Sequence, residues 1–152
     1  MTAPADPGVG PIVPDDRPRW AQLFCAYLEF YGTEIPPSTY EATWARLMAP
    51  DGTIRGLGVR DAAGQLVAIS HYLFHPTSSS DRPVCYMQDL FTDPAARGKG
   101  CARALINGVA EAARSRNAVR VYWLTQEDNK TARALYEKLA KFSGFVRYDI
   151  RL

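Results

Sequence analysis

Residues 94–105 read PAARGKGCARAL, and they stand between an apolar run, MQDLFT at 87–92, and a segment with helical periodicity. The stretch contains two glycines and three basic side chains. Loops of this kind between a strand and a helix commonly bind phosphate, because small residues let backbone N–H groups approach an anion at the positive end of the helix. We therefore expect a phosphate-binding loop at this place.

Two common nucleotide-binding loops do not fit the spacing. A P-loop requires G-x-x-x-x-G-K-[ST], but Gly100 follows Lys99, and Asp93 stands where the first glycine is needed. A dinucleotide-binding turn requires a third glycine or alanine where Arg103 stands, and an acidic residue about twenty positions later where the sequence reads AVRVYW. Neither type of nucleotide site is therefore indicated.

The periodicity around the loop predicts one α/β domain, in the α+β sense, over residues 1–152. Residues 1–14 are expected to be irregular or to add a short edge strand through GPIV. Ser38 is expected to open the second helix in a capping box, S-T-Y-E. Helices are predicted at 15–32, 38–48, 98–116 and 129–142, and strands at 53–61, 65–75, 84–92, 118–125 and 144–152. This order predicts a mixed sheet with helices on both faces.

The composition excludes several classes of protein. The 152 residues are 47% hydrophobic and 22% charged with a net charge of +2, which gives no electrostatic case for nucleic acid or an anionic membrane. No apolar run is long enough to span a bilayer, and the first residues lack the pattern of a signal peptide. The three cysteines form no C-x-x-C pair, so we expect neither disulfides nor a zinc site, and the cytoplasm is the expected location. His71 and His75 have no third ligand nearby, so no metal is expected.

Two spaced motifs carry a resemblance to a known family. R-x-x-G-x-A at 97–102 resembles the [QR]-x-x-G-x-[GA] signature of the GCN5-related N-acetyltransferases, the GNAT family. N-x-x-A-x-x-x-Y at 129–136, followed later by Gly144 and Phe145, resembles the family's closing motif. Gly144 stands about three residues further from Tyr136 than in that motif, so an extra turn or loop is expected there. The patterns at 87–91 and 122–138 are most similar to the histone and polyamine acetyltransferase branch.

The resemblance implies a GNAT fold, with a mostly antiparallel sheet of six to seven strands and about four helices, and acetyl-CoA as co-substrate. It implies that Tyr136 is the general acid for the departing thiolate, and that Asn129 holds the CoA arm. It assigns backbone groups of Leu90, Phe91 and Thr92 to the acetyl carbonyl and pantetheine. The pyrophosphate is assigned to the loop residues Arg97, Gly98, Lys99, Gly100, Cys101 and Ala102.

The general base is less clearly indicated. Side chains alternate along a strand, so Gln88 and Leu90 are expected on one face and Asp89 and Phe91 on the other. In the similar polyamine acetyltransferases a glutamate at the place of Gln88 is a candidate base, but glutamine cannot take a proton. Asp89 could serve directly or through water, solvent could suffice, or Asp89 could make only a structural hydrogen bond.

The acceptor is expected to be a primary amine that attacks the thioester directly in a ternary complex. Carboxylates among aromatic side chains suit a small cation such as a polyamine or a lysine-like group. The candidate acceptor-binding residues are Tyr27, Glu29, Tyr31, Gln88, Trp123 and Glu127. Two alternatives stay open: a peptide N-acetyltransferase, and an acetyl-CoA-binding sensor without turnover. Many relatives pair through their closing strands, so a homodimer is a further expectation.

Overall fold

The computed structural model of the chain describes residues 8–152, so the expectation for residues 1–7 lies outside the described part. The elements, in chain order, are β1 (Val9–Pro11), α1 (Arg17–Phe30), α2 (Pro37–Met48), β2 (Arg55–Arg60), β3 (Leu66–Thr77), β4 (Ser80–Thr92), α3 (Cys101–Ser115), β5 (Val121–Tyr122) and α4 (Lys130–Leu139). Short 3₁₀ turns precede α1 at Pro14–Asp16 and α3 at Pro94–Ala96. No helix within 8–152 has the length and apolar character to cross a bilayer.

The strands form one mixed sheet in the order β1-β2-β3-β4-β5. The first four strands pair antiparallel with their neighbours, and β5 pairs parallel to β4 through Cys85↔Val121 and Tyr86↔Tyr122. The expected short edge strand near GPIV is present as β1. The predicted fold class is confirmed, although the described chain contributes five strands to the sheet rather than six or seven.

Helices cover both faces of the sheet, as the order of elements predicted. On one face, Trp20 and Leu23 of α1 and Trp44 of α2 pack in a core that also contains Ile69 and Phe91 from the sheet. On the other face, the apolar stripe of α3 packs against β3 and β4. The buried members of that stripe are Cys101, Leu105, Ile106, Val109 and Ala113.

A buried ion pair fixes the start of α1 to the sheet. The carboxylate of Asp16, whose side chain is 8% exposed, accepts two hydrogen bonds from Arg60 on β2, at 2.6 and 2.5 Å, and one from the Val13 backbone at 2.7 Å. The Arg60 guanidinium is the main reason that the pKa of Asp16 lies below its usual value. The turn at 14–16 therefore positions α1 over the sheet.

A β-bulge interrupts the pairing of β3 with β4 at Gln88. His71 pairs with Asp89 and Tyr72 pairs with Met87, so Gln88 has no partner on β3. The extra residue changes the alternation: Asp89 and Phe91 face α1, while Met87, which regular alternation would place with them, packs on the α3 side. Bulges bend a strand and increase its twist. The bulge lies directly after the last pair that joins β4 to β5.

Several predicted boundaries were wrong, for local reasons. The capping box at Ser38 is absent, because α2 begins one residue earlier with Pro37 in the first turn, a position that suits proline. Helix α3 begins at Cys101 rather than Gly98, since Gly98 and Gly100 have positive φ angles of 77° and 82°. Helix α4 is shorter than predicted at both ends, and β5 spans two residues rather than the predicted 118–125.

The predicted closing strand at 144–152 is not formed. Residues 140–152 belong to no helix or strand, and all of them are exposed. The alternation of apolar and polar side chains that suggested a strand is real, but a strand also needs a hydrogen-bonded neighbour. Its exposed apolar side chains are Phe142, Phe145, Val146, Tyr148, Ile150 and Leu152.

Candidate active site

A cleft opens where β4 and β5 separate. The two strands pair only at residues 85–86 and 121–122, and beyond the bulge at Gln88 they have no common hydrogen bonds. We call the space between them the cleft. It is lined by side chains from α1, β4, the segment after β5, and α4: Tyr27, Tyr31, Met87, Gln88, Leu90, Trp123, Leu124 and Tyr136. The divergence thus brings together residues separated by more than a hundred positions in the sequence.

The edge of β4 that faces the cleft carries free backbone donors. The Asp93 N–H donates to the Val67 carbonyl oxygen on β3 at 2.9 Å. Since N–H groups alternate in direction along an antiparallel strand, the Phe91 N–H also faces β3, while those of Leu90 and Thr92 face the opposite edge. Strand β5 has already diverged there. The two N–H groups can therefore donate to the carbonyl oxygens of an extended ligand.

The loop between β4 and α3 forms a concave group of backbone donors. Gly98 and Gly100 have positive φ angles, and Lys99 lies between them. Within residues 8–152, no protein acceptor takes a hydrogen bond from the N–H groups of these three residues. Such alternation of backbone conformation at a helix N-terminus makes an anion-binding nest, and the dipole of α3 adds positive potential. The loop suits a pyrophosphate group.

Two hydrogen bonds to the Asp93 carboxylate hold this loop in place. The Asp93 carboxylate accepts from the Ala95 backbone at 2.9 Å and from the Arg19 guanidinium of α1 at 2.5 Å. The first bond, and then the second, lower the pKa of Asp93 below its usual value. Arg19 also donates to the Leu66 carbonyl oxygen at 2.9 Å, which ties α1 and β3 to the loop.

The remaining loop residues differ in exposure. Arg97 folds back so that its Nε lies 3.4 Å from the Thr92 carbonyl oxygen and its guanidinium lies 6.0 Å from the centre of the Phe91 ring. Lys99 is exposed. Cys101 is buried, and burial raises the pKa of its thiol, so this residue can offer a ligand its backbone N–H but not a thiolate. Ala102 follows in the first turn of α3.

Tyr136 reaches the cleft from the middle of α4. Its ring packs edge-on against Trp123 at 5.5 Å between ring centres. Burial, with a smaller contribution from Tyr31, raises the pKa of Tyr136 to about 12. The phenol therefore stays protonated at neutral pH, which is the state that a proton donor requires.

Asn129 occupies the N-cap position of α4, and its side chain makes no capping hydrogen bond. Its side-chain amide donates to the Thr125 hydroxyl at 3.1 Å, which joins the start of α4 to the segment that leaves β5. Asn129 lies seven residues before Tyr136, or about 10 Å along the helix axis. Asn129 thus lies at the start of α4, and Tyr136 reaches the cleft about two helical turns later.

Asp89 lies behind the cleft and does not line it. Its carboxylate accepts a hydrogen bond from His71 Nδ1 at 2.8 Å, and the opposite ring nitrogen of His71 accepts from the indole N–H of Trp20 at 2.9 Å. Tyr27 of α1 lies close to Asp89 and lines the cleft. Burial, and then the negative charge of Asp89, raise the pKa of the Tyr27 phenol far above its usual value.

Comparisons with known proteins agree with this geometry. Residues 20–142 match the model of the acetyltransferase (GNAT) family. A D-amino-acid N-acetyltransferase of Saccharomyces cerevisiae is 36% identical over 138 residues, which cover 90% of this chain and 86% of the relative.

This chain belongs to the GNAT family. An uncharacterized N-acetyltransferase of Bacillus subtilis is 29% identical over 140 residues, covering 90% of the chain and 92% of that relative. The crystal structure of a ribosomal-protein-alanine N-acetyltransferase from Brucella melitensis biovar Abortus superposes with a TM-score of 0.76 at 23% identity, covering 95% of this chain and 99% of the other. The chain is thus an N-acetyltransferase of the GNAT type, and GNAT enzymes use acetyl-CoA as co-substrate.

The free donors of this GNAT domain fit acetyl-CoA. Unpartnered N–H groups run from the edge of β4 to the N-terminus of α3, which matches a ligand with amide carbonyls at one end and a pyrophosphate at the other. In the described part of the chain, no three His, Cys, Asp or Glu side chains are grouped closely enough to hold a metal ion.

The residues that we expected at the acceptor side of a GNAT site fall into two sets. Tyr27, Tyr31, Gln88 and Trp123 line the cleft. Glu29 and Glu127 are exposed and do not line it. Glu29 instead accepts a weak hydrogen bond from the Cys25 thiol at 3.7 Å. The cleft is therefore aromatic and uncharged at its surface, with Asp89 behind it as the nearby carboxylate.

Sequence analysis missed two groups that support this GNAT site. Arg19 and Asp93 hold the phosphate loop, and Trp20 binds His71 behind Asp89. Asp93 precedes a proline and caps the turn at Pro94–Ala96, so the local pattern D-P-A-A could have identified it. The other contacts join residues 74 and 51 positions apart, and no local pattern marks them.

Proposed function

We propose that this protein transfers the acetyl group of acetyl-CoA to the primary amine of a small molecule, by direct attack in a ternary complex. The observation that carries the proposal is the cleft itself. Free N–H groups on the edge of β4, the amide of Gln88 and the phenol of Tyr136 all meet there. An acyl transfer needs an oxyanion donor, a proton for the leaving group and a place for the amine, and these groups can supply them.

The donor substrate is held along one continuous edge. Backbone groups of Leu90 and Thr92 bind the acetyl carbonyl and pantetheine, and Asn129 holds the CoA arm. The expected contribution of Phe91 is corrected, because its backbone groups face β3. The pyrophosphate lies in the nest, where positive φ angles at Gly98 and Gly100 support close approach of the anion. The loop contributes Arg97, Gly98, Lys99, Gly100, Cys101 and Ala102.

Tyr136 is the general acid. When the carbon–sulfur bond breaks, the thiolate takes the phenolic proton. Asp89 is the general base, and Gln88 orients the amine because its amide can both donate and accept. A peptide acceptor is less well supported, since the cleft is narrow and closed by α1 on one side. A sensor without turnover is less well supported because the acid is present.

Two kinds of acceptor deserve a test. The relative that acts on D-amino acids supports the α-amino group of an amino acid. The aromatic cleft with Asp89 behind it supports a small cation, such as a polyamine or a lysine-like group, through cation–π attraction. The lining of the cleft has no charged side chain for the further ammonium groups of a polyamine or for the carboxylate of an amino acid, so the support for the amino acid comes from that relative.

The deciding experiment is a thiol-release assay with acetyl-CoA and a panel of amines. The panel contains D- and L-amino acids, polyamines, aminoglycosides and lysine peptides, and the Tyr136→Phe variant is the background control. Turnover of amino acids without turnover of polyamines would end the cationic hypothesis. Binding of acetyl-CoA by calorimetry with no turnover of any amine would end the enzymatic proposal in favour of the sensor.

We further infer that residues 1–152 act as a single domain in the cytoplasm and that two copies pair. The three free cysteines, Cys25, Cys85 and Cys101, support a reducing compartment. The exposed apolar side chains between Phe142 and Leu152 support pairing with a second copy, because six of them would otherwise face water. Light scattering on the protein and on a variant with Tyr148 and Ile150 changed to serine tests this, with a dimer expected only for the unchanged protein.

A further inference from the structure

A chain of buried hydrogen bonds with a fixed direction lies behind the cleft. An indole N–H can only donate, so Nε2 of His71 must accept from Trp20 at 2.9 Å. The imidazole is then neutral with its proton on Nδ1, and it donates to Asp89 Oδ2 at 2.8 Å. Trp20 and His71 are each 1% exposed, so water does not compete for these bonds. Asp89 therefore accepts a hydrogen bond from the buried His71 ring.

Tyr27 continues this chain toward the cleft. It lies seven residues after Trp20 on α1, on the same face of the helix. Its ring packs against Phe24 and Phe91, with 6.2 and 6.3 Å between ring centres, and its hydroxyl lies close to Asp89. A carboxylate has no proton to give, so in any bond between the two groups Tyr27 is the donor. Because Tyr27 also lines the cleft, its oxygen can accept a hydrogen bond from a ligand there.

Tyr27, rather than Asp89, is the group that an amine in the cleft can contact directly. Tyr27 lines the cleft, whereas Asp89 does not. The side chain of Asp89 is 16% exposed and is already held by His71. A relay to this base needs a group that lies close to the base and also lines the cleft, and Tyr27 is such a residue.

We propose that Tyr27 relays the proton of the acceptor amine to Asp89, and that His71, held by Trp20, is a positioning residue for this relay. The inference rests on the proposed function. As the bond from nitrogen to the acetyl carbon forms, the amine N–H proton passes to the Tyr27 oxygen, and the phenolic proton passes to the Asp89 oxygen that His71 leaves free. The electron pair of the breaking carbon–sulfur bond stays on sulfur, which takes a proton from Tyr136. Solvent then exchanges protons with Asp89 and Tyr136.

The relay predicts specific kinetic effects. Tyr27→Phe should lower kcat by about 10²-fold, as expected for loss of general-base assistance, with the KM for acetyl-CoA unchanged. Tyr40→Phe is the matched control, because Tyr40 of α2 also packs against Phe24 but does not line the cleft. It should keep the unmodified kcat. Asp89→Asn should lower kcat as much as Tyr27→Phe does, and the double variant should lower it no further.

The role of His71 is tested by coupling to Tyr27. His71→Gln should lower kcat by about tenfold in the unmodified protein and have no effect in Tyr27→Phe, because it acts through the relay. His75→Gln, on the same strand, is the control and should have no effect in either background. If His71 served only to stabilise the fold, its loss would lower kcat equally in both backgrounds, and that result would overturn the positioning role.

The outcomes separate this inference from the proposed function. If the unmodified protein acetylates no amine in the panel, the proposed function fails and the relay fails with it. If the unmodified protein is active and Tyr27→Phe keeps its kcat, the relay alone is overturned. If His71→Gln does not fold, additive losses of kcat in Tyr27→Phe and Asp89→Asn would overturn the relay by themselves.

Discussion

Gly98→Ala is the change that tests the phosphate loop most directly. Gly98 has a φ angle of 77°, and a Cβ atom built on it would have no protein atom within 4 Å. The methyl group would therefore meet no steric obstacle in the protein itself. It would project into the open side of the loop, where the nest holds its N–H groups ready for an anion.

The structure also supplies a control for the backbone strain of this change. Gly64, in the turn between β2 and β3, has a φ angle of 82° and equally empty surroundings. An alanine in the left-handed region costs about 1–2 kcal/mol at either position. For a protein of this size that corresponds to a fall in Tm of about 2–8 °C. Gly98→Ala and Gly64→Ala should therefore destabilise the protein to a similar extent.

Only the change at Gly98 should weaken binding of acetyl-CoA. A hydrogen bond to a charged group contributes about 1.5–3 kcal/mol, and each 1.4 kcal/mol is a factor of ten in affinity. Loss of one such bond to the pyrophosphate would raise the Kd by about 10- to 100-fold. Titration calorimetry with acetyl-CoA measures the Kd, and differential scanning fluorimetry measures the Tm. Equal affinities for Gly98→Ala and the unmodified protein, or an equal loss in Gly64→Ala, would refute the pyrophosphate nest.

Two further predictions concern single side chains. Tyr136→Phe keeps the packing against Trp123 but removes the proton donor. We therefore expect kcat to fall by about 10²-fold while the calorimetric Kd for acetyl-CoA stays unchanged. An unchanged kcat would show that Tyr136 is not the general acid. Asp16→Asn should lower the free energy of unfolding at pH 7 by about 2–3 kcal/mol, because it leaves Arg60 without its carboxylate. Since folding lowers the pKa of Asp16, its contribution is complete above the usual value of 3.8 and is lost as the pH falls through the lower folded value. Urea denaturation should therefore show a larger difference between the variant and the unmodified protein at pH 7 than near pH 3.

The parts of this fold that depend on local pattern could be predicted from the sequence. The apolar stripes of α1 and α3 predicted those helices. The segment Ala-Ala-Gly between the predicted strands at 53–61 and 65–75 indicated the hairpin of β2 and β3. The two spaced motifs indicated the family, because one contains the loop before α3 and the other contains Tyr136.

Other parts depend on contacts that no short window contains. The alternation at 144–152 is the same whether or not a neighbouring strand is present, so it could not show that the segment lies unpaired. The bulge at Gln88 carries no glycine or proline to mark it, yet it decides which face Met87 and Asp89 occupy. The bond between Trp20 and His71 joins α1 to β3 across 51 positions.

The bulge at Gln88 limits which mutations β4 can tolerate. Because it is an additional residue rather than a particular side chain, no substitution at position 88 removes it, whereas deletion of one residue would. A deletion would restore one continuous register and turn either the half of β4 that packs on α3 or the half that serves the cleft to the wrong face. Substitutions at 88 should therefore disturb the fold far less than a change in length, even where they remove the Gln88 amide from the cleft.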